Sequence, residues 1–262
     1  MTLHQLDMEH QHTAPATRRL HRKTLAVAGV VRIPGMAGQP ECASIRYWDR
    51  RTRPVERRER SPVLFVHGYA GTEHIWGPLR AALSEAGFDC LIALRYNAFR
   101  ADIHQVADWL VDQAQRAMAV SGTSSVHLVG HSLGGLVVRD AVQQRGLAGQ
   151  ALTAVTIATP HAGAALARLV PGPAARQMRP GSTFLAELAS SGVDRHTRWI
   201  AINGLHDRVV PEASSAFPGV QTLRQPATGH ASVARHPDVV SYITNELLRT
   251  EQHAEQCFSL VA

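Results

Sequence analysis

The sequence predicts an α/β fold, a mostly parallel central sheet with helices on both faces, and three observations carry that prediction. Val63-Leu64-Phe65-Val66 is apolar at every position, the pattern of a strand with no solvent-facing side. Apolar runs recur at Val126 to Val129, Leu152 to Ala158 and Trp199 to Asn203. Between such runs lie segments of helical period, the clearest being Asp102 to Val120, which places Val106, Leu110, Ala114 and Ala117 on one face. Strands that alternate with helices pair in parallel and are covered from both sides.

In chain order, residues 1 to about 24 hold four histidines, several glutamines and no apolar periodicity, and are expected to be a disordered tail. The His10-x-His12 pair within it lacks a third ligand and is not expected to bind metal. Residues 25–33 and 42–48 predict two short strands forming an antiparallel edge, and the Arg/Glu-rich stretch from Asp49 to Ser61 an exposed turn. After the 63–66 strand, a helix is expected over Glu73 to Ala86, a buried strand over Asp89 to Leu94, and the long helix over Asp102 to Val120. Val126 to Val129 is followed by a helix from Leu133 to about Gln144. The strands at 152–158 and 199–203 come next, then a weaker one over Val220 to Leu223 and a closing helix from about Ala234 to Arg249. No internal repeat appears and the spacing does not support a two-domain split, so residues 25–262 are expected to form a single domain.

Charge and cysteine content narrow the partners. The chain has 262 residues and a formal net charge of +6. Residues 1–62 carry 12 basic and 6 acidic side chains, whereas residues 63–262 carry 15 of each. The excess therefore sits in the N-terminal arm. A charge-neutral body is not what a dedicated nucleic-acid binder presents, and it suits an uncharged substrate. Cys42, Cys90 and Cys257 are too few and too scattered for a disulfide scaffold or a CxxC metal site; free thiols are expected, with a Cys42 to Cys90 bridge as the alternative. No apolar run approaches the ~20 residues that span a bilayer. Thr17-Arg18-Arg19-Leu20 followed by Leu25 to Val31 has the look of a twin-arginine export signal, but the apolar run is short and ends at Arg32, so a cytoplasmic location is expected with export as the alternative.

In a parallel α/β sheet, ligands sit outside the carboxyl ends of the strands, so loops following strands are where reacting groups belong. Gly130-His131-Ser132-Leu133-Gly134 is a GxSxG placed between an apolar strand and a helix. A serine hydroxyl becomes a useful nucleophile only when held where a base can take its proton, and a tight strand-to-helix elbow does so. Its glycines are needed where a Cβ would collide with neighbouring chain. The following helix N-terminus favours developing negative charge, and the N–H of Leu133 is one expected donor to an oxyanion.

From Pro62 to about Leu248 the chain resembles the α/β-hydrolase superfamily, and within it bacterial triacylglycerol lipases and carboxylesterases. The resemblance rests on Val66-His67-Gly68, Gly130-His131-Ser132-Leu133-Gly134-Gly135, Ala158-Thr159-Pro160-His161-Ala162-Gly163, and Gln177 to Ser182 followed by Phe184-Leu185 and Leu188. It implies hydrolysis of carboxylic esters through an acyl-enzyme, with acyl transfer to another acceptor as the alternative outcome of the same chemistry. It implies a second oxyanion donor at the N–H of Tyr69; the Tyr69 side chain covering the site is a different role that sequence does not separate from it. A third reading, a non-catalytic scaffold with the basic arm as its working part, leaves this constellation without a purpose.

The chain order implied by the resemblance is serine, acid, histidine. The acids after Ser132 are Asp140, Glu187, Asp194, Asp207, Glu212 and Asp238. Asp140 falls within the elbow helix, Asp194 precedes a strand, and Asp207 follows one and is succeeded by Val209-Val210-Pro211, so Asp207 is expected to be the acid. Of the later histidines, His230 in the small-residue stretch Gly229-His230-Ala231-Ser232 is expected to be the base, His236 before Pro237 a capping or surface group, and His131 and His161 supporting or structural. Some larger secreted relatives keep a carboxylate for calcium just past this histidine. Here Ala231, Ser232, Val233 and Ala234 stand there, so no metal and no cofactor are expected. Residues 163–197, with Pro171, Gly172, Pro173, Pro180 and Gly181, are expected to be a lid-like insertion over the site or an ordinary helix with connecting loop.

Overall fold

A computed structural model describes residues 60–226 and 228–259, with side chains through Gln256. The expected tail, the strands at 25–33 and 42–48, and the export-like segment lie outside the described residues. So does Cys42, and with it the alternative bridge to Cys90.

Six strands form one parallel sheet in the order β2-β1-β3-β4-β5-β6. They are β1 (Val63–Val66), β2 (Leu91–Ala93), β3 (Val126–His131), β4 (Ala151–Ile157), β5 (Arg198–Gly204) and β6 (Thr222–Gln225). The helices are α1 (Gly77–Glu85), α2 (Ile103–Ser121), α3 (Leu133–Gln144), α4 (Pro173–Gln177), α5 (Thr183–Ser190), α6 (Glu212–Ser215) and α7 (Pro237–Ser259).

The fully apolar β1 has a direct packing consequence. Successive side chains point to opposite faces, so Leu64 and Val66 join a core with α2, α3 and α5, while Val63 and Phe65 join a second core with α1 and α7. Each face is closed by its own layer of helices. The strand order turns back at β1, whose neighbours are β2 on one side and β3 on the other. That reversal opens a crevice beyond the carboxyl ends of β1 and β3, where two successive loops diverge to opposite faces.

Three elements depart from expectation for identifiable reasons. The helix expected over 73–86 begins as a tight turn, Glu73–Trp76, and becomes α-helical from Gly77, where Pro78 suits a first turn that needs no N–H. The strand expected to be buried over 89–94 is the three-residue β2, half-buried throughout, at the edge of the described sheet. The closing helix starts at Pro237 and runs to Ser259, ten residues past the last apolar repeat expected for it. What holds the extension is polar: Glu251, on α7, is buried and accepts from the Ser61 amide at 3.0 Å and from His127 Nε2 at 2.9 Å, at the amino ends of β1 and β3.

The 163–197 segment is a tight turn (Ala165–Arg168) followed by α4 and α5. Its second half is built into the body. Phe184, Leu185 and Leu188 are buried against the α3 side of the sheet, Ser182 caps α5 by accepting from Leu185 N at 3.3 Å, and Gln177 Oε1 accepts from Ile103 N at 2.8 Å. The exposed apolar side chains are in the first half, Leu166 and Leu169, the latter 80% exposed.

Candidate active site

Ser132 is the residue on which the crevice converges. It has φ 55° and ψ −122°, and it is one of only two described non-glycine residues with positive φ, the other being Ala158 at the end of β4. Such a conformation is strained and persists where surrounding contacts over-determine it. Here they do: the Ser132 amide donates to Ile157 O at 2.8 Å, and Gly135 N donates to Ser132 O at 3.0 Å. The glycines of the elbow are required by space. A Cβ on Gly130 would lie 2.4 Å from Gly134 O, one on Gly134 2.0 Å from Val66 O, and one on Gly135 1.9 Å from Thr159 Oγ1. Thr159 of the Thr-Pro-His run is thereby explained as packing against the elbow helix. A Cβ on Gly68 would lie 2.9 Å from the Ser132 Cβ, so the loop after β1 passes directly over the serine.

His230 and Asp207 meet Ser132 in a continuous relay. The Ser132 hydroxyl donates to His230 Nε2 at 3.0 Å, and His230 Nδ1 donates to Asp207 Oδ2 at 2.8 Å. The other Asp207 oxygen accepts from the amides of Val209 at 2.8 Å and Val210 at 2.9 Å. Burial by itself would raise the Asp207 carboxyl, but the hydrogen bond from His230 and the Val210 and Val209 amides outweigh it and hold the group below the usual aspartate range. The carboxylate is thus ionised at neutral pH and fixed at both oxygens. Its loop is stitched to the histidine's loop by His206 N to Thr228 O at 3.0 Å and Leu205 N to Gln225 O at 3.0 Å.

The structure brings Ser132, His230 and Asp207 together and leaves the competing acids elsewhere. Asp140 is fully buried in an ion pair with Arg145 at 2.7 Å, Asp194 accepts from the Thr197 hydroxyl at 2.6 Å, and Glu212 pairs with Arg224 at the surface. His236 Nδ1 accepts from Asp238 N at 3.3 Å at the start of α7, the capping position expected of it. His161 is buried beneath the site, between Arg139 and the Thr156 hydroxyl, and stacks on Phe217. The Tyr69 side chain ties the β1 loop to the 163–197 segment, its hydroxyl donating to Pro171 O and its ring meeting Phe99 edge-on. Sequence reasoning missed Tyr96, which stacks on His67 and donates to His67 O at 2.5 Å, anchoring the peptide just before Gly68 and Tyr69. No spacing in the sequence marks it. Among the described residues no group of three or more His, Cys, Asp or Glu gathers in a way that could hold a metal, and no helix is long and apolar enough to cross a membrane.

Two buried imidazoles make the fold acid-sensitive. Burial, reinforced by neighbouring His230, pushes His131 down to about 4, and burial with the Arg139 charge pushes His161 well below its ordinary value. Unfolded, both histidines take up protons below about pH 6.5. Folded, they resist, so the unfolded state binds more protons in this window and stability falls as pH drops from about 6.5 toward 4. The unfolding free energy from urea titrations should decline by roughly 1 kcal/mol per pH unit for each histidine over that range. A free energy constant from pH 7 to 4.5 would contradict it.

Comparison with known proteins agrees with this architecture. A family model described as the α/β hydrolase fold matches residues 61–175. Triacylglycerol lipases of Pseudarthrobacter phenanthrenivorans and Burkholderia plantarii are each 32% identical over 120 residues, 42% of this chain. The match spans about a third of those curated relatives, 36% and 32% of their lengths. Among solved structures, the mature lipase BlEst2 of Bacillus licheniformis superposes with a TM-score of 0.64 at 18% identity, over 74% of this chain and 96% of that one. Phospholipase PlaB of Legionella pneumophila gives 0.61 at 17% identity, over 74% of this chain and 61% of its own. With the six-stranded parallel sheet, the strained serine elbow at its switch point and these likenesses, the chain has the α/β-hydrolase fold and is similar to lipases and a phospholipase.

Proposed function

We propose that this protein hydrolyses carboxylic esters by way of an acyl-enzyme on Ser132. The observation that carries the reading is the unbroken relay from Ser132 Oγ through His230 to Asp207, at 3.0 Å and 2.8 Å, at the end of a sheet where substrates dock. In the reading, Ser132 Oγ attacks the ester carbonyl carbon while His230 Nε2 takes the hydroxyl proton. Asp207, ionised and held by three hydrogen bonds, fixes the Nδ1–H tautomer and stabilises the imidazolium that forms. The carbonyl oxygen becomes an oxyanion facing the N–H of Leu133, at the start of α3, and the N–H of Tyr69, in the loop that crosses the serine. Collapse breaks the ester C–O bond, and His230 returns its proton to the departing alcohol. Water, deprotonated by the same histidine, then releases the acid and restores Ser132.

The names of the similar proteins, lipases and a phospholipase, favour water over an alcohol as the acceptor. An uncharged acyl ester fits a body whose residues 63–262 carry equal numbers of acidic and basic side chains. Incubation with a p-nitrophenyl alkylphosphonate should modify Ser132 stoichiometrically, as read by peptide mass spectrometry, with parallel loss of p-nitrophenyl ester hydrolysis. Protein that stays unlabelled and hydrolyses no ester of any chain length would refute the reading. The same esters from short to long acyl chains, with and without a lipid interface, separate esterase from lipase.

A further inference from the structure

Beyond the two main-chain bonds that stitch its start to the Asp207 loop, the loop that carries His230 has little of its own to hold it still. Gly229, Ala231 and Ser232 bring no bulk, Ala231 and Ser232 are exposed, and the turn is closed locally by Gly229 N to Ser232 Oγ at 2.9 Å and Val233 N to Gly229 O at 3.2 Å. Yet His230 has to keep Nε2 on a serine hydroxyl from a different strand. A displacement of about 1 Å in such a group costs as much as 10²-fold in rate. Something on the rigid side of the site has to fix this loop, and the structure offers one side chain that touches it from the elbow.

That side chain is His131, the last residue of β3 and the neighbour of the nucleophile. It is 4% exposed, its Nε2 lies 2.8 Å from the main-chain oxygen of His230, and the two rings pack with centroids 4.9 Å apart. The carbonyl can only accept, so Nε2 carries the hydrogen and Nδ1 is a bare lone pair. Nδ1 is buried with no hydrogen-bond partner and faces the backbone of Gly68, where a Cβ would stand 3.1 Å from it. One ring therefore bridges the base loop and the loop that crosses the serine, from a strand buried along its whole length. A charged ring here would bury a second N–H without an acceptor, so the brace works only as the neutral Nε2–H tautomer.

We propose that His131 is a positioning residue: its Nε2–H holds the His230 carbonyl and so keeps the His230 ring aligned between Ser132 and Asp207. The catalytic consequence rests on the ester-hydrolase reading above; the positional claim does not. The role requires a donor at one point, which a purely space-filling role does not.

Glutamine and methionine or phenylalanine separate the two. A glutamine side chain places an amide N–H the same number of bonds from Cα as histidine places Nε2–H, whereas phenylalanine and methionine fill the space without donating. In His131→Phe and His131→Met, kcat for p-nitrophenyl butyrate should fall by about 10²-fold with KM within about twofold, and His131→Gln should recover kcat to within about threefold of wild type. The comparison uses whichever non-donor variant matches the melting temperature of His131→Gln. A second readout needs no substrate: the downfield proton NMR signal of the hydrogen shared by His230 and Asp207 should persist in His131→Gln and broaden away in the non-donor variants. Equal kcat and equal spectra in donor and non-donor variants, or losses that simply follow melting temperature, would overturn the proposal. Wild-type protein that fails to react with the phosphonate counts against the hydrolase reading instead, and the NMR comparison still decides the brace.

Discussion

Replacing Ser132 by alanine should lower kcat/KM for p-nitrophenyl butyrate by about 10⁴- to 10⁶-fold, and replacing Asp207 by asparagine by about 10⁴-fold, with little change in melting temperature for either. The first removes the attacking atom of the proposed mechanism. The second acts through geometry. Asp207 Oδ1 is claimed by the amides of Val209 and Val210, so an asparagine would keep its carbonyl oxygen there and turn its NH₂ toward His230 Nδ1. Nδ1 then has to accept, the imidazole hydrogen moves to Nε2, and the ring presents a donor where the serine needs a base. Steady-state kinetics with active-site titration check both. A Ser132→Ala protein with more than a few per cent of wild-type activity would remove the serine from the mechanism.

The largest effect on stability is expected at a glycine. Gly134 is the second residue of α3, and helix propensity alone predicts that alanine there would stabilise by up to about 1 kcal/mol. The structure reverses the sign. The new Cβ would stand 2.0 Å from Val66 O and 2.8 Å from His67 O, main-chain atoms at the end of a central strand that cannot rotate away. Overpacking against flexible side chains typically costs about 1–3 kcal/mol; against fixed backbone the loss for Gly134→Ala should exceed about 4 kcal/mol. Gly77, the first residue of α1, has nothing beyond its chain neighbours within 4 Å of its added Cβ, so Gly77→Ala, limited to the local strain of an α-helical residue before Pro78, should cost far less than Gly134→Ala. Urea unfolding of the two variants compares them directly, and similar behaviour would mean that the elbow and β1 are not in this contact.

How far the residues announce the structure depends on what kind of constraint each obeys. Val63 to Val66 are legible because a strand covered on both faces favours apolar residues at every position. Ser132, Asp207 and His230 are legible as candidates because chemistry restricts their types and the fold restricts them to loops after strands; that they meet is a matter of tertiary geometry. The last ten residues of α7 are invisible to apolar periodicity, because a buried glutamate bound to Ser61 and His127 holds them rather than an apolar stripe. β2 looks buried in sequence yet is half-exposed, since composition does not reveal which strand lies at an edge. The Tyr96 contact to the carbonyl of His67 leaves no trace in spacing, because main-chain acceptors have no sequence signature.

The separation of 98 positions between Ser132 and His230 also has a meaning in time. A ribosome adding about 5–20 residues per second delivers the proposed nucleophile some 5 to 20 s before its proposed base. During that interval the serine is an ordinary alcohol, since the group that would activate it has not yet been made. The sheet can form up to β4 around the elbow before the relay exists, and under the proposed mechanism reactivity arrives only when the last loop closes. Nascent chains truncated between β5 and β6 should therefore be inert toward phosphonates while already holding the strand and helix that flank Ser132.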